Sequence, residues 1–494
     1  MNVDSALGRK VTVGSCPFVA ALAILGLFVF STSTSKAADT LWTSLRGTCE
    51  GTAACRWMDA LSAAEIREWH FTSKSSRRYK MGLAVWASPA VAVVNGRPMA
   101  FIGGYDQTMH GLDLLSKDRI WFKITNGEIG SPPAIGLAGG RQTVFWSSAD
   151  RTVYAHVAAT GDRVWSRELI APTNTMGDAQ VSAPLLHDGV LYITAFAYDK
   201  ALARSKQSAW LFALDMEVGG KILWRREVSN GPVSSPAGRM MGNEFHLFVA
   251  ARKGLIQAFR VSRNGFDDLW NYQMPHEVMG SPVIERDTDA PLLFVGSKYG
   301  NIVAIDGRTG TEVWSRMAGN WIDNTACIAR VDGVSVVFVG SHDYNVYAFR
   351  AADGERLWRR HLGGEVYSAP AFLDWNGTPA VIVASLDNHL YAINARTGTV
   401  ETSYYTGQPI WDKVSKGENL WGSPAVLQAG DRSAAIHGSF NGTVYVLPLG
   451  GECSLRAKVQ SAKTLWWGLL TVMVLFLGVI VPVVLGLSGR REDR

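Results

Sequence analysis

The chain has 494 residues, a formal net charge of +5 and 18% charged residues, with 50 glycines and 18 tryptophans as its unusual counts. No element concentrates basic residues, which excludes a nucleic-acid-binding protein. The length suits two or three ordinary domains or one large all-β ring.

Residues 1–37 read as a secretory signal. Arg9 and Lys10 precede an apolar run from Pro17 to Phe30, and Ser35-Lys36-Ala37 forms a small-x-small cleavage site. The run is shorter than the ~20 residues a membrane span needs, and Cys16 precedes it rather than ending it, against a lipoprotein site. In the segment 38–66, Cys49 and Cys55 are close enough to bond in an oxidising compartment. Cys327 falls at an apolar core position, where a buried free thiol is expected, and Cys453 lies in a linker. No cysteine or histidine cluster has metal-ligand spacing, so no metal is expected.

Residues 67–449 are repetitive. The clearest unit runs from Phe294 to Trp314, returns from Val337 to Trp358, and returns again to Thr402, where threonine replaces tryptophan. Trp270, Trp314 and Trp358 are spaced 44 residues apart, a period that suits one propeller blade. Trp121, Trp165 and Trp224 end earlier copies, and the step of 59 between the last two marks an insertion of about 15 residues. Each unit predicts four strands: one after a Ser-Pro or Ala-Pro step, two joined by a tight turn, and one carrying the tryptophan. An eighth unit starts at Ser423 but ends after its third strand at Leu449. Glu68-Trp69-His70-Phe71-Thr72 matches the missing fourth strand, so the N-terminal segment is expected to close the ring and remove its open edges.

This pattern resembles the PQQ-type repeat, aliphatic-Gly-Ser-x-Asp-Gly-x-aliphatic-Tyr-Ala-aliphatic-Asp-x-x-Thr-Gly-x-x-x-Trp. The family includes quinoprotein dehydrogenase propellers and the lipoprotein propeller scaffold of the outer-membrane assembly machine. The resemblance implies an all-β fold: an eight-bladed β-propeller of four-stranded antiparallel blades. It also implies that Trp69, Trp121, Trp165, Trp224, Trp270, Trp314 and Trp358 are structural residues stacked between blades.

After a linker at 450–463, residues 464–488 predict one transmembrane helix. Leu465 to Leu487 carries no charge, Trp466 and Trp467 stand at its start, and Arg490 and Arg491 follow it. With a cleaved signal, the propeller is expected on the periplasmic or extracytoplasmic side and residues 489–494 in the cytoplasm.

Three groups are candidate site residues. Basic loops carry Arg77, Arg78, Lys200, Arg204, Lys206, Lys413 and Lys416, with Lys74 and Lys80 beside them. The turn geometry of a meander puts these loops on the face opposite the chain's exit to the membrane, where binding loops on a rigid scaffold belong. Trp86, Ile129, Val181, Val233, Met279, Ile322, Tyr367 and Trp421, one per blade, are expected to ring the axial funnel. Asp323 and Asn324 form an acid–amide pair at the funnel, with Glu128 a further acid.

The favoured function is a non-enzymatic platform that binds or scaffolds an envelope protein or polymer, with no catalytic residue and no cofactor. A quinoprotein alcohol or sugar dehydrogenase holding PQQ with Ca²⁺ is the alternative. The chain lacks the adjacent cysteine pair that this enzyme family typically carries. A ligand sensor acting with a membrane partner is a third reading.

Overall fold

The computed structural model describes residues 69–72 and 87–449, apart from 115, 117, 172–175, 200, 203–206, 376, 406–421, 430–431 and 439–442. The described chain is an all-β propeller. Its strands pair into eight antiparallel sheets, each in sequential meander order except where the chain closes on itself. The first sheet holds Ala90–Val94, Arg97–Gly103, Thr108–Asp113 and Arg119–Ile124. The sixth, which matters most below, holds Cys327–Val331, Val334–Gly340, Asn345–Arg350 and Arg356–His361. The third has five strands, because Met176–Val181 and Leu185–His187 both pair with the long strand Val190–Asp199.

The last sheet joins the two ends of the ring. Trp69–Thr72 pairs antiparallel with Thr443–Leu449, in the register Trp69↔Val446 to Thr72↔Thr443. Behind this pairing, Val91, Ala100, Ile102 and Leu112 of the first sheet pack with Ala425, Ile436, Val444 and Val446 of the last. The seam is therefore apolar core. Other clusters likewise lie between neighbouring sheets, as where Cys327, Phe338 and Trp358 meet Phe372, Val381 and Val383. Strand alternation dictates this, since each sheet turns one set of side chains toward each neighbour.

Two repeated contacts lock neighbours together. The indole N–H of Trp121, Trp165, Trp314 and Trp358 donates to a backbone carbonyl of the following sheet: Ala158 (2.8 Å), Met216 (2.9 Å), Ala351 (2.7 Å) and Ala395 (2.8 Å). Each ring lies against a glycine of that sheet's last turn, Gly161, Gly220, Gly354 or Gly398, whose φ is near +70°. A Cβ there would strike the indole, so glycine is required by space as well as by φ. Trp224 and Trp270 donate in the same way, to Ser262 O and Gly307 O.

The second lock explains the hydroxyl before the proline. The backbone N–H of Ala183, Ser281, Ala369 and Ser423 donates to the hydroxyl of Ser235, Thr325, Ser423 and Ser88, each in the same step of the next sheet. Thr325 keeps the oxygen where the proline is lost.

Cys327 corrects one expectation. It is disulfide-bonded, not a free thiol. An apolar, buried position disfavours a charged thiolate but not a neutral disulfide, and position alone does not decide between them. The signal segment, the Cys49 and Cys55 pair, Cys453, the linker and the predicted helix at 464–488 all lie outside the described residues. Among the described residues no helix is long and apolar enough to cross a membrane.

Candidate functional site at the funnel mouth

The inner strand of each sheet is preceded by a link from the previous one, and the link is pinned to the central turn of the sheet it enters. The N–H groups of Ala149, Lys298, His342 and Leu386 in those turns donate to the carbonyls of Glu128, Glu277, Trp321 and Glu365 in the links. Turn and link residues therefore meet at one end of each of these sheets.

Two adjacent link positions do different work. Five residues before their inner strands, Ile129, Val278, Ile322 and Val366 are buried. Ile129, Ile322 and Val366 press on Gly103, Gly296 and Gly340, where any Cβ would collide with them. Ile129 and Ile322 are thus wedges between sheets and not part of a funnel ring. The next position in the link holds Gly130, Val181, Val233, Met279, Asp323 and Tyr367. The sequence reading slipped in two sheets because Pro132-Pro133 doubles the proline in one and Ala326 replaces it in the other. Trp86 and Trp421 fall in the corrected register but lie outside the described residues, as do Lys74, Arg77, Arg78, Lys80, Lys200, Arg204, Lys206, Lys413 and Lys416.

In the link before the sixth sheet this position holds an acid. Asp323 is 8% exposed, and burial pushes its carboxyl up to about 6, against the opposing pull of Lys298 and Arg252. Its Oδ2 stands 3.5 Å from Nε2 of His342. That approach does not make a hydrogen bond, and the buried Oδ1 of Asp323 and Nε2 of His342 are both left without a partner. Burial holds the His342 imidazole near 4, so it is neutral at pH 7. Asn324 donates through Nδ2 to Gly340 O (2.9 Å) and Val366 O (3.2 Å), while its buried Oδ1 has no partner.

Aromatic rings wall this polar spot. His342 lies 3.9 Å from the ring of Tyr367 and 5.4 Å from that of Trp321, centroid to centroid. Trp321 is 40% exposed. The Lys298 ammonium sits 4.6 Å over the Trp321 ring and 3.6 Å from Glu277, which also approaches Arg252 at 3.8 Å.

Other acids near the rim are engaged by the fold. Asp150, Asp343 and Asp387 each accept from a tyrosine hydroxyl four residues on, at 2.7, 2.5 and 2.5 Å. Each also accepts a backbone N–H from the preceding link, from Asn126, Gly319 and Gly363. Among the described residues, no three of His, Cys, Asp and Glu gather as a metal ion would need.

Trp321, His342, Lys298, Glu277 and Arg252 were not anticipated from the sequence. The signal was present: Arg252, Lys298 and His342 occupy the variable x of the Gly-Ser-x-Asp turn, the one position the repeat leaves open at the rim.

A family model described as outer membrane protein assembly factor BamB matches residues 149–326 and 324–465. The chain belongs to this PQQ-type repeat family. Among solved structures, BamB from Moraxella catarrhalis is 15% identical, with a TM-score of 0.50 over 76% of this chain and 99% of that one. The quinohemoprotein alcohol dehydrogenase of Comamonas testosteroni is 13% identical, with a TM-score of 0.59 over 80% of this chain and 78% of that one. Sqt1 of Saccharomyces cerevisiae is also 13% identical, at 0.59 over 77% and 98%. These likenesses concern the fold. No curated protein sequence matches the chain.

Proposed function

We propose that this chain is an extracytoplasmic eight-bladed platform, anchored by the 464–488 helix, that holds an envelope protein or polymer at its funnel mouth without catalysing a reaction. The observation that carries the reading is the rim itself. A rigid frame, fixed by tryptophan–glycine locks and hydroxyl bonds, presents open positions filled by Arg252, Lys298, His342, Trp321 and Tyr367. Binding residues on a scaffold of this kind are a common use of the fold. Membership of the BamB family supports a protein-interaction role, and the Cys327 disulfide supports an oxidising compartment.

The dehydrogenase reading draws on the unpartnered oxygens of Asp323 and Asn324. The residues present do not fit a Ca²⁺-held quinone, however. A hard cation needs several oxygens converging on it, whereas the charges acting on Asp323 include two cations, Lys298 and Arg252. The test is direct. Full-length protein is incubated with PQQ and Ca²⁺ and assayed for quinone absorbance and alcohol-dependent dye reduction, alongside crosslinking in envelope membranes from residue 298. We expect no dye reduction and capture of a discrete envelope component; dye reduction would overturn the platform reading.

A further inference from the structure

The polar spot at the sixth sheet combines three features that are rarely left idle together. Asp323, Asn324 and His342 are 8%, 4% and 7% exposed, and each holds a buried side-chain atom without a hydrogen-bond partner. An unpartnered buried polar atom costs about 1–3 kcal/mol, so three in one place call for a ligand that supplies the missing bonds. Beside them Trp321 and Tyr367 offer ring surface, and Trp321 is substantially exposed.

Charge selects the ligand class. Arg252 and Lys298 contribute two positive charges and Glu277 and Asp323 two negative ones at neutral pH, and Glu277 approaches both cations. The cluster balances, so neither an anion nor a cation gains from it. The oxygens of Asp323 and Asn324 ask for donors, while Lys298 asks for an acceptor. A hydroxyl does both, and an apolar C–H face on the same molecule covers an aromatic ring.

We propose that the rim at the fifth and sixth sheets is a saccharide-binding subsite, taking a neutral sugar ring whose hydroxyls meet Asp323, Asn324 and Lys298 and whose C–H face covers Trp321. This inference rests on reading the funnel mouth as a binding face, and it names one ligand class for it.

The full-length protein in detergent micelles is titrated with cellohexaose, maltohexaose and chitohexaose, followed by tryptophan fluorescence and calorimetry. At least one oligosaccharide is expected to bind with a Trp321-dependent fluorescence change. Asp323→Asn and Trp321→Ala should each weaken binding at least tenfold, and Asp323→Asn should do so without lowering the melting temperature at pH 7.5. Lack of binding by all three sugars, or equal binding by Asp323→Asn, would overturn the proposal. So would saturation of the site by tetralysine in preference to sugar, which would mark a cation site. If protein capture from residue 298 persists while sugars fail, this inference falls and the platform stands.

Discussion

Asp323 shows how a single position can oppose the stability of the frame that holds it. Its carboxyl is pushed up to about 6 by burial, so the fold favours the protonated form. Its stabilising contribution is present at low pH and is lost as pH rises through about 6. Asp323→Asn, which mimics the protonated form, should therefore raise stability at pH 7.5 by about 3 kcal/mol, with the advantage closing by pH 4. Thermal melts of both proteins across that range decide it. His156 and His342, held near 4 by burial, work the other way. The unfolded chain binds their protons first, so stability they share is lost as pH falls from about 6.5 toward 4. At this scale the sequence was partly legible. Asp323 and Asn324 stood out as an acid–amide pair, but the imidazole facing Asp323 comes from the central turn of the sixth sheet, and no local pattern announces that neighbour.

Elements were far more legible than the site, because the tryptophan and the Ser-Pro step recur at fixed spacing and each has a structural partner in the next sheet. What the period could not supply was register within the link, where a one-residue slip separates the apolar wedge Ile322 from the acid Asp323. The lock between sheets yields two predictions. Gly354 has a φ of +70° and lies on Trp314, whereas Gly242 has a φ of +64° and open space where its Cβ would be. Gly354→Ala should cost at least ~2 kcal/mol more than Gly242→Ala, since the second carries only the left-handed backbone penalty of about 1–2 kcal/mol. Chemical denaturation of the two variants reads the difference. Removing residues 69–72 strips Thr443–Leu449 of one neighbour and exposes the seam. That truncated protein should melt lower and associate through its open edge, which scattering during the melt would reveal; an unchanged melt would refute the closure.

For the whole molecule, contacts run within each sheet and between immediate neighbours, so stability is built from sheets and the successive interfaces that join them. Fold class was legible in the sequence for this reason: one unit, repeated, dictates the architecture. The partner was not, because the residues that differ from unit to unit at the rim obey no period. The disulfide at Cys327 belongs to this scale too, since among the described inner strands only that of the sixth sheet carries a cysteine. Reduction should lower the melting temperature, and Cys327→Ser should show the lowered value with no further response to reductant.

The strand Thr443–Leu449 is gripped on both edges, by Trp69–Thr72 on one side and Arg432–Gly438 on the other. Both partners run antiparallel to it. A pull on the chain beyond Leu449, along the strand, loads these hydrogen bonds in shear, several at once, instead of peeling them one by one. The last strand thus works as a mortised joint. Tension from that side tightens its demand on two sheet edges together, and the ring resists being drawn open at the place where its ends meet.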